Sequence, residues 1–253
     1  MGWVEVYGRS PFHSARARAR IGLMPETEAF PPGMKGREFL RSCLALAGVP
    51  LRQTARRAAA LLEQVDLAEA AGRRVAGYSR GMEQRPKLAQ ALGHEPGLLL
   101  LDEPLTGLDP PARRKVIGLI RRLGEEEGRC VLVSSHVLHE VEAMTSRVAF
   151  IHEGRILAEG EVHQIRSHLA DQPVKVRLHS ADPRRLAREM VGWPSLLGFR
   201  LGRGRIDVEA LDPDAFFDAL GRLACDDGID LAEIRILDEG LEAVFDYLVG
   251  ETR

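Results

Sequence analysis

The sequence predicts an α/β protein built on a parallel β-sheet, followed by a small α+β appendage. Residues 98–101 are four consecutive leucines bounded by Pro96-Gly97 and Pro104, which is typical of a strand buried on both faces of a parallel sheet. Residues 130–134 show the same apolar character. From residue 172 onward the pattern changes, and its order β-α-β-β-α-β is typical of a ferredoxin-like domain.

The elements before the leucine run are short strands and amphipathic helices. Residues 2–7 alternate between apolar and polar and predict an edge strand, and residues 21–24 predict a short buried strand. Between them, the alternating alanines and arginines of residues 10–20 predict a solvated basic connector. A polyanion site is the alternative there, but no aromatic side chains interleave with the arginines. Apolar residues at helical spacing predict helices over residues 35–48 and 51–65.

The elements after the leucine run continue the α/β pattern and then change to α+β. Prolines in a first turn predict a helix over residues 110–126, which Gly128 ends. Glu153-Gly154 between two apolar segments predicts a hairpin with a tight turn. The remaining predicted elements are a short helix near 161–170, strands near 174–178, 197–201, 204–209 and 231–237, and helices near 182–191, 212–224 and 241–248.

Composition limits the classes of partner and compartment. The net charge of -2 gives no overall attraction to nucleic acid or to an anionic membrane. The three cysteines, Cys43, Cys130 and Cys225, fit neither a disulfide framework nor a zinc spacing, so we expect a reducing cytoplasm. No apolar run approaches the roughly 18 residues of a membrane span.

Two carboxylates, Asp102 and Glu103, directly follow the leucine run. Chemistry in parallel sheets is placed just beyond the carboxyl ends of the strands. One carboxylate can hold a magnesium ion, and its neighbour can orient or deprotonate a water molecule. Taken alone, the pair fits equally well a core strand that ends in solvated acids.

Three further segments surround this strand in a fixed order. Tyr78–Arg85 (YSRGMEQR) precedes it, Leu105–Pro110 (LTGLDP) follows it, and Val131–His136 (VLVSSH) lies further along the chain. Together the four segments resemble the signature motif, the Walker B strand, the D-loop and the H-loop of ABC transporter ATP-binding subunits. The YSRGM form resembles the export-type branch of that family.

This resemblance extends from residue 1 to about residue 165, and more loosely to the end. It implies a P-loop NTPase-like ATP-binding domain over residues 1–170, incomplete at its N-terminus, with a helical subdomain at about residues 35–95. Residues 171–253 are expected to form the C-terminal α+β accessory domain.

A Walker A motif, G-x-x-x-x-G-K-S/T, is absent from the sequence. The four lysines are followed by Gly36, Leu88, Val116 and Val176, and none of these is serine or threonine. The family places this motif upstream of the signature, and the missing strands, loop and helix would amount to roughly 40–50 residues. We expect that the start of the protein was assigned too late, since the other motifs are intact; a genuinely shorter chain that cannot bind ATP alone is the alternative.

The resemblance implies roles for four residues on the hydrolytic side of the site. Asp102 would hold Mg²⁺, Glu103 would be the general base, and His136 would contact the γ-phosphate. Glu26 stands at the Q-loop position, where glutamine is usual; it would reach Mg²⁺ and link the chemistry to the membrane subunit. An exposed loop acid is the alternative for Glu26.

Three other residues would act on the nucleotide of the opposing protomer. Ser79 and Gly81 would close over its γ-phosphate, and Asp109 would couple the two sites. The alternatives are a plain helix cap for Ser79 and an ordinary turn for Asp109. Pro86 departs from the pattern because it lies inside the signature helix, where proline costs ~3 kcal/mol. It predicts either a shifted helix start or relaxed selection on the motif.

A zinc site at His136, His139 and Glu140 is the weaker alternative, because the order is not H-E-x-x-H.

The expected function is MgATP hydrolysis at a homodimer or heterodimer interface, coupled to export through separate transmembrane permease subunits. The chain would then lie in the cytoplasm at the inner face of the cell membrane, with no nucleic-acid partner. The main alternative is a non-hydrolysing interaction subunit that lends its signature motif to an intact partner. A third possibility is an ABC ATPase without a membrane partner, although such proteins often carry two ATPase domains in one chain.

Overall fold

The computed structural model describes residues 2–27, 30–31, 33–167, 173–226, 229–237 and 241–250. The chain separates into two compact units, Met1–Met144 and Thr145–Arg253. The domain division at residue 170 stays a prediction. None of the described helices is long and apolar enough to cross a membrane.

The first unit contains three strands, six α-helices and one 3₁₀ turn among its described residues. They are α1 (Ala15–Arg18), β1 (Ile21–Met24), α2 (Gly36–Leu46), α3 (Leu51–Gln64), the 3₁₀ turn Val75–Gly77, α4 (Arg80–Leu92), β2 (Leu98–Asp102), α5 (Pro110–Glu125), β3 (Cys130–Ser134) and α6 (Leu138–Met144).

The three strands form the predicted parallel sheet, in the order β1-β2-β3. One face is apolar and buried against the helices, and Gly22 permits this contact, since a Cβ there would overlap the backbone of Ala91 in α4. The prediction that β2 is buried on both faces is wrong. Leu23 and Leu132, which flank Leu100 in register on the other face, are 53% and 64% exposed.

One prediction near the N-terminus is also wrong. Residues 2–7 do not form a strand: the chain turns back at Tyr7 and Gly8, where φ is 53° and 70°, and makes a single bridge between Val6 and Arg9. Trp3 is 81% exposed. The basic connector is partly helical, because the Ser14 side chain accepts a hydrogen bond from Ala17 N–H and caps α1.

The helical part of the first unit follows the sequence pattern closely. Helices α2 and α3 were predicted within a few residues, and their apolar faces join the core that covers β2. Helix α4 begins at Arg80, with Ser79 as its N-cap, and continues to Leu92 with the buried Pro86 inside it. Pro86 therefore does not shift the helix start.

The second unit begins with the predicted hairpin, whose turn at Glu153 and Gly154 has φ of 48° and 76°. The elements of the second unit are β4 (Arg147–His152), β5 (Arg155–Glu161), α7 (Val162–Ser167), β6 (Val174–Ser180), α8 (Pro183–Met190), β7 (Leu196–Gly202), β8 (Arg205–Ala210), α9 (Pro213–Asp226), β9 (Leu231–Ile236) and α10 (Leu241–Gly250). From β6 onward their order is β-α-β-β-α-β, as predicted, and the four strands of this part are antiparallel in the order β7-β8-β6-β9. The ferredoxin-like assignment stays a prediction. Residues 168–170 of the predicted helix at 161–170 lie outside the described residues.

Candidate functional site

The carboxyl ends of β2 and β3 bring Asp102 and Ser134 together. The two residues are register partners in the parallel ladder, and Ser134 Oγ donates a hydrogen bond to Asp102 Oδ1 at 2.5 Å. Asp102 is exposed, so this end of the sheet is open to solvent. Carboxylate and hydroxyl oxygens are hard ligands of the kind that Mg²⁺ prefers.

Glu103 lies just beyond β2 in an unusual backbone conformation. Its φ is 46°, in the left-handed region that costs a residue with a side chain on the order of 1 kcal/mol. Glu103 N–H donates to Ser134 carbonyl oxygen at 3.1 Å, which pins the turn to β3. The carboxylate is only 16% exposed, and its Oε2 accepts a hydrogen bond from Thr106 Oγ1 at 3.3 Å.

His136 approaches the same carboxylate from the segment that follows β3. Its backbone N–H donates to Glu103 Oε1 at 2.9 Å, and its Nδ1 lies 2.7 Å from the same oxygen. The hydrogen bond to Glu103 raises the pKa of His136 above its ordinary value, and the negative charges of Glu103, Glu140 and Glu26 add to this. The ring is 77% exposed and can reach a ligand.

We call Asp102, Glu103, Ser134 and His136 the carboxylate–histidine cluster. It combines an exposed carboxylate, a second carboxylate with both oxygens hydrogen-bonded, and an imidazole that can donate a proton. These are the groups that bind a cation, accept a proton from water and contact an anionic phosphate.

A second group forms where two helices begin. Ser79 caps α4, with its Oγ accepting a hydrogen bond from Met82 N–H at 3.3 Å. Asp109 caps α5 in the same way, with Oδ1 accepting from Ala112 N–H at 2.8 Å. The cap raised from the sequence for Ser79 is therefore a real structural role, and Asp109 is likewise a cap rather than part of a turn.

The two helix starts are in tight contact through glycines. A Cβ at Gly81 would lie 2.9 Å from the carbonyl oxygen of Gly107, and Gly107 itself has φ of 76°. We call Ser79, Gly81, Gly107 and Asp109 the helix-cap cluster. It presents backbone N–H groups at the positive ends of two helices, an arrangement that suits phosphate.

The helix-cap cluster borders an open pocket of about 990 Å³. Cationic and anionic side chains both line it. The lining residues are Glu63, Asp66, Leu67, Ala68, Glu69, Ala70, Arg73, Ser79, Arg80, Gly81, Met82, Arg85, Gly107 and Asp109. The pocket is large enough for part of a nucleotide.

Glu26 belongs to neither cluster by hydrogen bonding. It is exposed, and its backbone carbonyl accepts a hydrogen bond from Lys87 Nζ of α4 at 2.6 Å. Its charge contributes to the raised pKa of His136, so the carboxylate acts on the carboxylate–histidine cluster through space. Its role toward Mg²⁺ stays a prediction. Within the described residues, no three or more His, Cys, Asp or Glu side chains group as they would around a metal.

Two residues that contribute to the site were not predicted from the sequence. Ser134 could have been predicted, because neighbouring parallel strands place the hydroxyl at the end of β3 beside the carboxylate at the end of β2. Thr106, which holds Glu103, carries no sequence signal of its own. The zinc alternative gains no support, since Glu140 forms an ion pair with Arg113 at 2.6 Å.

The family model described as ABC transporter matches residues 2–106. The daunorubicin resistance ATP-binding protein DrrA3 of Streptomyces coeruleorubidus is 31% identical over 255 residues, covering 100% of this chain and 79% of the relative. The uncharacterized ABC transporter ATP-binding protein YxlF of Bacillus subtilis is 40% identical over 149 residues, covering 59% of this chain and 50% of that protein.

A solved structure of similar fold is a dimeric, post-hydrolysis state of an ATP-binding cassette bound to ADP and phosphate. Its TM-score is 0.55 at 21% identity, covering 62% of this chain and 72% of the other. This likeness shows the fold.

Proposed function

Because the chain belongs to the ABC transporter family as an ATP-binding subunit, we propose that it hydrolyses MgATP at a dimer interface and thereby drives export. The observation that carries the proposal is the carboxylate–histidine cluster. Glu103 and His136 share a hydrogen bond at the open end of a parallel sheet, beside the exposed Asp102.

In this mechanism Glu103 is the general base. It takes a proton from the attacking water, whose oxygen forms a bond to the γ-phosphorus while the bond to the β–γ bridging oxygen breaks and ADP leaves. Both carboxylate oxygens are hydrogen-bonded in the structure, so the approach of water must displace or share one of these bonds. The protonated imidazole of His136 would donate to the γ-phosphate.

The oxygen ligands of Asp102 and Ser134 fit a magnesium ion. When bound, Mg²⁺ would neutralise charge on the β- and γ-phosphates. Asp102 would hold the ion, and Glu26 would reach it directly or through water. Ser134 keeps the Asp102 carboxylate oriented by its hydrogen bond.

The helix-cap cluster would serve the nucleotide of the second protomer. Ser79 and the backbone at Gly81 would meet its γ-phosphate, and Asp109 would link the two sites across the interface. The pocket beside the cluster and its helix N-termini support this role.

The export role is supported by the name of a relative, which describes daunorubicin resistance. We propose that the permease is a separate chain and holds this subunit at the inner face of the membrane. The transported substrate would be recognised by that permease.

Phosphate release from MgATP by the native protein tests the proposal. Glu103→Gln should lower turnover by about 10²–10⁴-fold while ATP binding persists, because it removes the base and retains the shape. Glu125→Gln, at an exposed position of α5, should leave turnover unchanged. Equal turnover in Glu103→Gln and the unchanged protein would contradict the proposal.

A second candidate is an interaction subunit that lends its helix-cap cluster to an intact partner. The caps formed by Ser79 and Asp109 beside the open pocket support it. In this case the chain should raise the turnover of a partner subunit, and Glu103→Gln should leave that effect intact.

A further inference from the structure

Arg113 connects two parts of the first unit. It lies at the end of the first turn of α5, and its side chain folds back toward the helix start. Its Nη2 donates to the carbonyl oxygen of Leu108 at 3.4 Å, and its Nη1 contacts Glu140 Oε1 at 2.6 Å. The guanidinium therefore contacts the D-loop backbone through Nη2 and helix α6 through Nη1.

Glu140 is an unusual partner because it is buried. Its side chain is 5% exposed, the lowest value for a carboxylate in the ion pairs of the described residues. Buried carboxylates are rare unless they are paired, since desolvation of the charge is costly. By contrast, Arg121 and Glu125 form an exposed pair on the same helix α5.

The two partners of Arg113, Leu108 and Glu140, lie close in sequence to the helix-cap cluster and to the carboxylate–histidine cluster, respectively. Leu108 lies between Gly107 and Asp109 of the helix-cap cluster. Glu140 lies in α6, four residues after His136, and its backbone N–H donates to the carbonyl oxygen of Val137 at 3.0 Å. A fixed Arg113–Glu140 pair thus constrains the D-loop and the His136 segment to each other.

We propose that Arg113 and Glu140 are positioning residues that fix the D-loop, within residues 105–112, relative to the segment that carries His136, within residues 134–141. The planar guanidinium is suited to this because its donors point in two fixed directions, which a lysine ammonium cannot reproduce. The expected effect on turnover rests on the proposed function, whereas the fixed relative position of the two segments does not.

Arg113→Lys tests the link with the smallest change. It keeps a positive charge for Glu140 but loses the hydrogen bond from Nη2 to the carbonyl oxygen of Leu108. Arg121→Lys is the matched control, since its partner Glu125 is exposed. Hydrogen exchange is measured by mass spectrometry on the native protein without nucleotide, over peptides that cover residues 105–112 and 134–141.

We expect amide exchange in both peptides to become at least about fivefold faster in Arg113→Lys, with α2 and α3 unchanged. Arg121→Lys should match the unchanged protein. Unaltered exchange in either peptide would overturn the proposal. A uniform increase over residues 2–144 would also overturn it, because the pair would then support only the fold.

A double variant separates positioning from stability. Replacing both members of a buried ion pair by apolar residues leaves no unpaired charge and is often neutral for stability. Arg113→Leu with Glu140→Leu should therefore melt at a higher temperature than Glu140→Leu alone, yet keep the fast exchange at residues 105–112. Slow exchange there in the double variant would contradict the proposal.

The activity readout is kept apart from the exchange readout. If the native protein hydrolyses MgATP, Arg113→Lys should lower kcat severalfold with little change in KM, since no contact to the substrate is lost. An unchanged kcat alongside fast exchange would overturn the role in turnover. A lack of turnover in the unchanged protein would contradict the proposed function and leave the exchange result valid.

Discussion

The carboxylate–histidine cluster and the helix-cap cluster lie in the same unit but are built in different ways. The first is made by side chains at two strand ends, and its members hydrogen-bond to one another. The second is made by the starts of two helices, and each side chain in it caps its own helix.

This difference has a physical consequence. Side chains at strand ends can be exchanged for similar ones without moving the backbone, so changes there alter charge and proton transfer. In the helix-cap cluster the glycine backbones are in contact, and an added carbon forces the two helix starts apart. We therefore expect the first cluster to be sensitive to charge and the second to be sensitive to volume.

The largest effect is expected when each cluster is inactivated in a different protein and the two proteins are then mixed. Glu103→Gln damages one cluster and Ser79→Arg the other, so either variant alone should lose at least about 10²-fold in turnover. In an equal mixture of the two proteins, half of the dimers are mixed and each carries one intact composite site. Turnover should recover to about one quarter of the unchanged level, as twofold symmetry requires.

The mixture also has an internal check. Two Glu103→Gln preparations mixed together contain no intact site and should stay inactive. Absence of recovery in the Glu103→Gln and Ser79→Arg mixture would show that the clusters do not serve one nucleotide from opposing protomers.

The next effect is steric. Gly81→Ala places a Cβ 2.9 Å from the backbone oxygen of Gly107, so one of the two backbone segments must shift. We expect a loss of about 1–3 kcal/mol in the free energy of unfolding. Gly118→Ala is the control, because nothing lies within 4 Å of its added carbon in α5. It should raise the free energy of unfolding by up to about 1 kcal/mol.

Urea unfolding of the three proteins measures both effects. If Gly81→Ala were as stable as the unchanged protein, the close contact between the helix starts would not exist in solution.

A smaller effect is expected at the caps themselves. Asp109→Ala removes a 2.8 Å hydrogen bond to Ala112 N–H and should cost about 1 kcal/mol. Ser79→Ala should cost less, because its bond to Met82 N–H is 3.3 Å long. Asp109→Asn retains the acceptor and should lie close to the unchanged protein. The reverse order of the two alanine variants in thermal unfolding would contradict the cap geometry.

The two clusters also differ in how far the sequence predicted them. Asp102, Glu103 and His136 come together as expected, because strands β2 and β3 end at the same edge of a parallel sheet. Ser79 was predicted at a helix start, since serine before an apolar periodic segment is a strong cap signal. Local chemistry alone was sufficient at Ser79, whereas at Asp102, Glu103 and His136 the prediction also needed the resemblance to the ABC transporter family.

What the sequence did not reveal depends on tertiary contacts. The Gly81–Gly107 approach and the Arg113–Glu140 pair join segments that are 26 and 27 residues apart, and no local pattern marks them. The strand predicted over residues 2–7 failed for the same reason, since alternation specifies a strand only where a neighbouring strand pairs with it.

The smallest effect, and the one most specific to the carboxylate–histidine cluster, is the titration of His136. Its pKa lies above the ordinary value of 6.5, chiefly because its ring hydrogen-bonds to Glu103. The bond therefore stabilises the fold fully below pH 6.5, and this stabilisation is lost as the pH rises through the raised pKa. The contribution is small because the ring is exposed. In Glu103→Gln, NMR titration should show the pKa of His136 falling toward 6.5. An equal pKa in the two proteins would mean that the Glu103–His136 contact does not persist in solution. The expectation that the carboxylate–histidine cluster is the charge-sensitive one of the two clusters would then be wrong.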